Sequence, residues 1–378
     1  MSQHAIAGAR ILAKGQWLEG YALLIEHGLI CAICPADALP LGVETELLNG
    51  GSLLPGFIDT QVNGGGGVLL NDEPTVEGIA AIAQAHRAFG TTALLPTLIS
   101  DDLDVIARAI AAIAKAIELG VPGVLGIHIE GPFLNPLKHG IHDPAKIRAL
   151  DDRAIALLSS LDQGKTLVTL APECVALGAI AALTARGVVV AAGHSLATYE
   201  EMARAVAEGL TGVTHLYNAM TQLGSREPGL VGAAMDLGLT SGLIVDGHHV
   251  HPAALRTALR VLGKEQVMLV TDAMSTVGTD MDGFLLGAQK IDRQDGVLRG
   301  PDGTLAGSDL DMSQAFRNAL CMMRIDMITA SHMASTTPAA FLGLSSSHGT
   351  IGIGMRADLV LIDNALNSAA TWIAGARY

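Results

Sequence analysis

The sequence predicts an α/β protein: a (β/α)8 TIM-like barrel carrying a small discontinuous β-sandwich built from the N- and C-terminal segments. Three observations carry this expectation. Between residues 57 and 270, eight short apolar runs alternate with stretches that mostly have helical length and periodicity. Eight such units match the size of a closed parallel barrel, typically about 250 residues. The runs end in polar or reactive side chains, as barrel strands do at the face that carries chemistry. Outside this region the pattern changes at both ends to short strands and glycine turns. An open doubly wound sheet is the alternative, but no G-x-G-x-x-G fingerprint opens any helix.

Composition agrees. The chain has 378 residues, 50% hydrophobic and only 16% charged, enough for one large buried core and a smaller one. Aromatics are 3%, so that core consists mainly of Ala, Leu, Ile and Val. The net charge of −14 argues against a nucleic-acid partner, whose phosphates need a basic surface. The four cysteines, Cys31, Cys34, Cys174 and Cys321, include one C-x-x-C spacing with no second pair to close a zinc site. They read as structural thiols, and with no signal peptide the expected location is cytoplasmic. The apolar stretch from Cys174 to Gly193 is interrupted by Arg186 and reads as helix, turn and strand, not as a membrane span.

Residues 1–52 form the first part of the small β domain, with strands at 6–12, 21–25 and 29–33. The barrel occupies 53–345. Its strands centre on Phe57-Ile58-Asp59, Ala93-Leu94-Leu95, Leu125-Gly126-Ile127-His128, Leu167-Val168-Thr169-Leu170, Val188-Val189-Val190, Val213-Thr214-His215, Leu243-Ile244-Val245 and Met268-Leu269-Val270. Helices are expected over 76–89, 103–119 and 198–208 among others. Gly64 to Gly67 reads as a flexible turn, because it lacks the Lys-Ser/Thr of a P-loop. Residues 278–307 suggest an inserted hairpin. A helix over 309–323 takes Ser308 as its N-cap, and Thr337-Pro338 opens another with Pro at the tolerated first position. Residues 346–378 return to strand and rejoin the N-terminal layer.

The chemistry centres on His128-Ile129-Glu130-Gly131-Pro132-Phe133. Alternation along a strand puts His128 and Glu130 on one face. A carboxylate at the end of a buried strand is expensive unless a positive group meets it. Two further apolar runs end in His194 and His215. Glu, His and His at three strand ends, with one open position, are the ligand set of a catalytic zinc site. An ion there lowers the pKa of water and polarises a carbonyl, and the attack needs a group to take and return a proton. Asp272 ends the last strand and suits that role, though an Asp here can also cap the following turn. His142, on the loop after the Glu130 strand, is placed to polarise the same carbonyl or else is a solvated loop residue. Gln61 and Asn63, Glu173, and Asp246 with His248 and His249 complete the polar strand ends.

With these residues in view, the chain resembles the amidohydrolase superfamily, and within it the amino-sugar phosphate deacetylases. The resemblance rests on Pro55-Gly56-Phe57-Ile58-Asp59, the His128–Phe133 motif, Gly193-His194-Ser195, Thr214-His215-Leu216-Tyr217-Asn218-Ala219-Met220, Arg226-Glu227-Pro228-Gly229, Asp246-Gly247-His248-His249-Val250 and Thr271-Asp272-Ala273, in that order over nearly the full length. It implies a metal-dependent hydrolase that releases acetate from N-acetyl-D-glucosamine 6-phosphate. Glu130, His194 and His215 would ligate the metal, Asp272 would be the acid/base, and His142 would contact the acetyl carbonyl. Substrate contacts would come from Ile141, His142, Asn218, the Ala219 backbone, Arg226, His249, and the segment Leu305, Ala306, Gly307. A homodimer in which the partner completes the phosphate pocket is implied too. Where many amidohydrolases have His-x-His on the first strand, this chain has Gln61 and Asn63; neutral amides are poor zinc ligands beside imidazole. One divalent metal per chain is therefore expected, zinc by default, with iron, cobalt or manganese compatible. The rival readings are the galactosamine epimer of the substrate, a hydantoin or dihydroorotate hydrolase, and a non-catalytic scaffold of the same fold.

Overall fold

A computed structural model describes residues 3–378. Its centre is a sheet of eight parallel strands in sequence order: β1 (Phe57–Val62), β2 (Thr91–Ile99), β3 (Gly126–Glu130), β4 (Lys165–Leu170), β5 (Val189–Ala192), β6 (Gly212–Val213), β7 (Thr240–Ile244) and β8 (Val267–Val270). The strands are largely buried and rich in apolar residues because both of their faces are covered, one by the barrel interior and one by helices. The sheet closes beyond β8, where the Asp272 N–H donates to the Gln61 carbonyl at 3.0 Å and the Asn63 N–H to the Ala273 carbonyl at 2.8 Å. The fold is thus the expected (β/α)8 barrel.

Helices α1 (Val76–Arg87), α2 (Leu103–Glu118), α3 (Asp152–Leu158), α4 (Ala179–Thr184), α5 (Tyr199–Ala207), α6 (Gly229–Asp236), α7 (Pro252–Leu262) and α8 (Met312–Asn318) surround it. In α2 the buried residues Leu103, Ile106, Ala109, Ile110, Ile113 and Ala116 recur at three- and four-residue intervals, which turns one stripe toward the strands. Helix α5 begins at a capping box, Thr198 accepting from the Glu201 N–H while the Glu201 side chain reaches back. Among the described residues, no helix is long and apolar enough to cross a membrane.

The two ends of the chain build a separate pair of sheets. Four strands (His4–Ala7, Tyr21–Glu26, Leu29–Pro35 and Glu44–Leu47) form one layer. The other is held together across the length of the chain: Leu359–Ile362 lies between Ser52–Pro55 and Ser368–Ile373, antiparallel to both. Ile6, Leu23, Ile25 and Ile30 from the first layer meet Ile11, Leu53, Leu359 and Trp372 from the second in one buried cluster. This is the discontinuous sandwich the sequence suggested.

Several local expectations give way. The run 6–12 is two strands, not one, because Gly8 at φ +94° turns the chain between the layers and a Cβ there would lie 2.2 Å from the Leu48 carbonyl oxygen. Gly64–Gly65 pairs with Val68–Leu69 in a tight hairpin packed against His86, whose Nε2 lies 2.8 Å from the Gly64 carbonyl oxygen; it is a packed turn, not a flexible one. Residues 283–299 form three antiparallel strands. Helix α8 is capped by Asp311, whose side chain accepts from the Gln314 N–H, while the Ser308 hydroxyl donates to the Thr271 carbonyl at the barrel seam. Thr337-Pro338 does not start a helix. It continues one from Met327 through a π-helical turn at His332–Thr336, the kind of widened turn that accommodates a proline ring.

Candidate active site

The C-terminal ends of the barrel strands converge on a cavity of about 360 Å³, within the range of small-molecule sites. Glu130 sits at its floor, 2% exposed. His194 Nε2 lies 3.1 Å from Glu130 Oε1, His215 Nε2 lies 2.9 Å from the same oxygen, and the two imidazole nitrogens are 3.1 Å apart. Three ligand-type atoms from β3 and the turns after β5 and β6 therefore form a buried triangle. Neighbouring ligands of a tetrahedral ion with bonds of 2.0–2.1 Å are about 3.3 Å apart, so the donor set has the spacing of a divalent metal site. The imidazole of His194 is turned for that use. Its Nδ1–H donates to the Lys138 carbonyl at 2.8 Å, which leaves Nε2 as the nitrogen turned toward the cluster. Burial alone would raise the Glu130 pKa, but hydrogen bonds from both imidazoles hold it well below the usual carboxylate range.

Backbone conformation explains how the strand ends present these side chains to the cavity. His194, His215 and Asp272 have φ of +50°, +31° and +54°, a region that costs non-glycine residues on the order of 1–3 kcal/mol each. The chain leaves each strand through such a residue, which swings its side chain into the cavity. His128 stays one layer deeper, bonded to Thr97 at 3.3 Å and Thr169 at 2.8 Å, and its burial lowers its pKa to about 4.

Asp272 lines the cavity facing the triangle. The Gln61 amide donates to Asp272 Oδ1 and to Glu130 Oε2, each at 3.1 Å, and the Asn63 amide donates to Asp272 Oδ1 at 2.7 Å. Desolvation and the Glu130 charge raise the Asp272 pKa to about 6, against the pull of His215, Asn63 and His249. Its side chain meets the two amides instead of capping the next turn.

His142 is 3% exposed, so it is not a solvated loop residue. The Ser100 N–H donates to its Nδ1 at 3.2 Å and the Ser100 hydroxyl lies 2.8 Å away. Nδ1 is thereby an acceptor, and the proton resides on Nε2. Burial, reinforced by the neighbouring His194, lowers the His142 pKa to about 3, which keeps the ring neutral. His249 is oriented by Asp246, whose Oδ2 lies 2.6 Å from its Nδ1 while Oδ1 accepts from the His248 and His249 N–H groups.

Ile141, Asn218, Ala219, His249, Leu305 and Gly307 line the cavity with the triad, His142 and Asp272. Ala306 is fully buried one residue behind the wall, among Leu69, Met274, Ile291 and Leu298. Arg226 is exposed on the loop before α6 and lies outside the cavity lining. The sequence had marked Gln61 and Asn63 as missing ligands without seeing them as carboxylate donors. Ser100 and the Lys138 carbonyl gave no signal, whereas Asp246 was visible as a polar strand end beside His248 and His249.

Residues 52–377 match the model of the amidohydrolase family, and residues 4–53 match the NagA composite domain. The chain belongs to the amidohydrolase family. As a member it is a hydrolase of amide bonds. It is 44% identical over 371 residues to the N-acetylgalactosamine-6-phosphate deacetylase of Shewanella sp. (strain ANA-3), covering 97% of this chain and 94% of that protein. It is 36% identical over 391 residues to the human N-acetylglucosamine-6-phosphate deacetylase, covering 98% and 92%. Among solved structures, the N-acetylglucosamine-6-phosphate deacetylase of Pasteurella multocida superposes on the amidohydrolase with a TM-score of 0.97 at 31% identity, covering all of both chains. A mutant of the Mycobacterium smegmatis enzyme in complex with N-acetyl-D-glucosamine-6-phosphate superposes with a TM-score of 0.90 at 33% identity, covering 100% of this chain and 99% of that one.

Proposed function

We propose that this amidohydrolase removes the acetyl group of N-acetyl-D-glucosamine 6-phosphate, giving D-glucosamine 6-phosphate and acetate. The observation that carries the reading is the Glu130–His194–His215 triangle facing Asp272 across one cavity. We assign these three residues as ligands of one divalent ion per chain. Zinc suits the donors best, and iron, cobalt and manganese accept the same N and O ligands. Such an ion supplies Lewis acidity, polarising a carbonyl oxygen and lowering the pKa of water toward neutrality. A second ion has no ligands at Gln61 and Asn63, whose amide N–H groups already point at the carboxylates.

The remaining work falls to side chains. Asp272 takes the proton from the attacking water and gives it to the leaving nitrogen as the C–N bond breaks. Gln61 and Asn63 both bond Oδ1, which fixes the carboxylate and leaves Oδ2 for the proton. His142 presents Nε2–H to the acetyl oxygen, a fixed donor where negative charge develops. Asn218, the Ala219 backbone and His249 hold the sugar phosphate, while Ile141, Leu305, Ala306 and Gly307 shape the opposite wall. The exposed position of Arg226 fits a phosphate contact made across a homodimer interface, with the planar fork that guanidinium offers to phosphate. The catalytic unit is the barrel that begins at Phe57, and the sandwich, which takes in the strand Ser52–Pro55 and the C-terminal strands, supports it. The free thiols of Cys31, Cys34, Cys174 and Cys321 fit a reducing cytoplasm.

A second reading, the galactosamine 6-phosphate epimer, is favoured by one observation: relatives so named are 44% and 37% identical to this chain. Acetate release from both epimers, each with and without its phosphate and with and without chelator, separates the readings. The first predicts the highest kcat/KM on the glucosamine compound and the second on the galactosamine compound. No release from either phosphosugar would contradict both and leave a non-catalytic scaffold.

A further inference from the structure

Glu173 is a polar strand end that the mechanism above leaves unused. It follows β4 in the single turn Pro172–Cys174 and lies outside the cavity lining. Its carboxylate nevertheless gathers three donors. The Ser195 hydroxyl donates to Oε2 at 2.6 Å, the Leu196 N–H to Oε1 at 2.5 Å, and the Asn135 amide to Oε1 at 3.0 Å. The first two belong to the two residues immediately after His194.

Asn135 leads to the other side of the same imidazole. Its N–H donates to the His194 carbonyl at 3.0 Å. Its side-chain oxygen caps the one-turn helix Pro136–Lys138 by accepting from the Leu137 N–H at 2.9 Å. That turn ends in the Lys138 carbonyl, the acceptor that fixes which His194 nitrogen carries the proton. One carboxylate thus anchors both the strained turn that carries the imidazole and the loop that orients it.

We propose that Glu173 is a positioning residue for His194: through Ser195 and Leu196 on one side and Asn135 on the other, it holds the imidazole in the orientation and tautomer that bind the metal. The inference rests on the reading of Glu130, His194 and His215 as a metal site. A His in the left-handed region has to be over-determined by its surroundings to stay there, and partners that orient a ligating imidazole typically change metal affinity by 10–100-fold when removed.

The test is the affinity of the chelator-stripped full chain for Zn²⁺, titrated against a chromophoric chelator, beside the melting temperature of the same stripped protein. Glu173→Ala is expected to bind zinc about 10- to 100-fold more weakly when titrated well below the melting temperature of the stripped variant, whether or not that temperature falls with the lost hydrogen bonds. Glu173→Gln can still accept from Leu196 and Asn135 and meet Ser195 with its amide, so its affinity should be intermediate. Asn135→Ala breaks only one arm and should weaken binding in the same direction but less; it carries the test alone if Glu173→Ala does not fold. Wild-type affinity in both alanine variants would overturn the proposal. So would a lowered melting temperature with unchanged affinity, since that is a purely structural role. Failure of the underlying metal reading looks different: wild type would bind no zinc, and His194→Ala would be no weaker than wild type.

Discussion

At the residue scale, identifiable neighbours set which nitrogen of each imidazole faces the cavity and which carboxylate holds a proton. His194 and His142 are oriented by opposite kinds of partner: the Lys138 carbonyl takes the Nδ1–H of His194 and leaves its Nε2 facing the cluster, whereas the Ser100 N–H at Nδ1 makes His142 a proton donor through Nε2. On the proposed mechanism, replacing Asp272 should lower kcat by about 10²–10⁴-fold, the usual contribution of general acid–base catalysis. Asp272→Asn should do so while metal content, measured by elemental analysis, stays at the wild-type value. His142→Ala should lower kcat by about 10²–10³-fold, as loss of one fixed donor to a developing oxyanion does. Most of its effect should appear in kcat, not KM. A variant of either residue with near wild-type turnover would remove it from the mechanism. The triad and Asp272 were legible in the sequence because each ends an apolar run. The Lys138 carbonyl and the Ser100 N–H were not, since every residue has a carbonyl and nearly every one an N–H, and only the folded loop says which ones face an imidazole.

At the element scale the weak point of the barrel is the seam between β1 and β8, where strand pairing is sparse. Asp59 occupies it. Its Oδ2 accepts from the Thr271 hydroxyl and its Oδ1 from the Gln61 and Thr271 N–H groups. Burial outweighs these bonds and raises its pKa to about 7. A carboxyl whose folded pKa is raised contributes stability below the unfolded value near 3.8 and loses it as pH rises through about 7. Asparagine can reproduce the contacts, with Oδ1 accepting the two N–H groups and the amide donating to the Thr271 hydroxyl. Asp59→Asn should therefore gain stability relative to wild type as pH rises from 4 to 8, on the order of a few kcal/mol by the top of the range. Thermal melts of both proteins across that range check the sign, and an unchanged difference would place the ionised form comfortably in the seam. The eight barrel strands and their order were readable from periodicity. What failed was local: the split at Gly8, the Asp311 cap and the π-turn before Pro338 depend on tertiary packing that periodicity does not record.

At the scale of the whole molecule, residues near the two ends of the chain complete one sandwich, so the C-terminal strands fold only against partners some 300 residues earlier in the chain. Trp372, 1% exposed, fills the space between the layers and donates its indole N–H to Glu46 at 3.0 Å. Trp372→Ala should cost about 3–5 kcal/mol and lower the melting temperature, while kcat measured well below that temperature stays near wild type because the cavity lies in the barrel. The strand repeat disclosed the barrel, and the change of pattern at both ends disclosed the sandwich. Long-range register and the exposed place of Arg226 could come only from coordinates. The measurement closest to the centre of the account is metal stoichiometry joined to activity. Elemental analysis of the purified chain should find one divalent ion per chain. Chelation should abolish acetate release, one equivalent of zinc should restore it, and Glu130→Gln or His194→Ala should hold no ion. Full turnover in the stripped protein, or two tightly bound ions per chain, would contradict it.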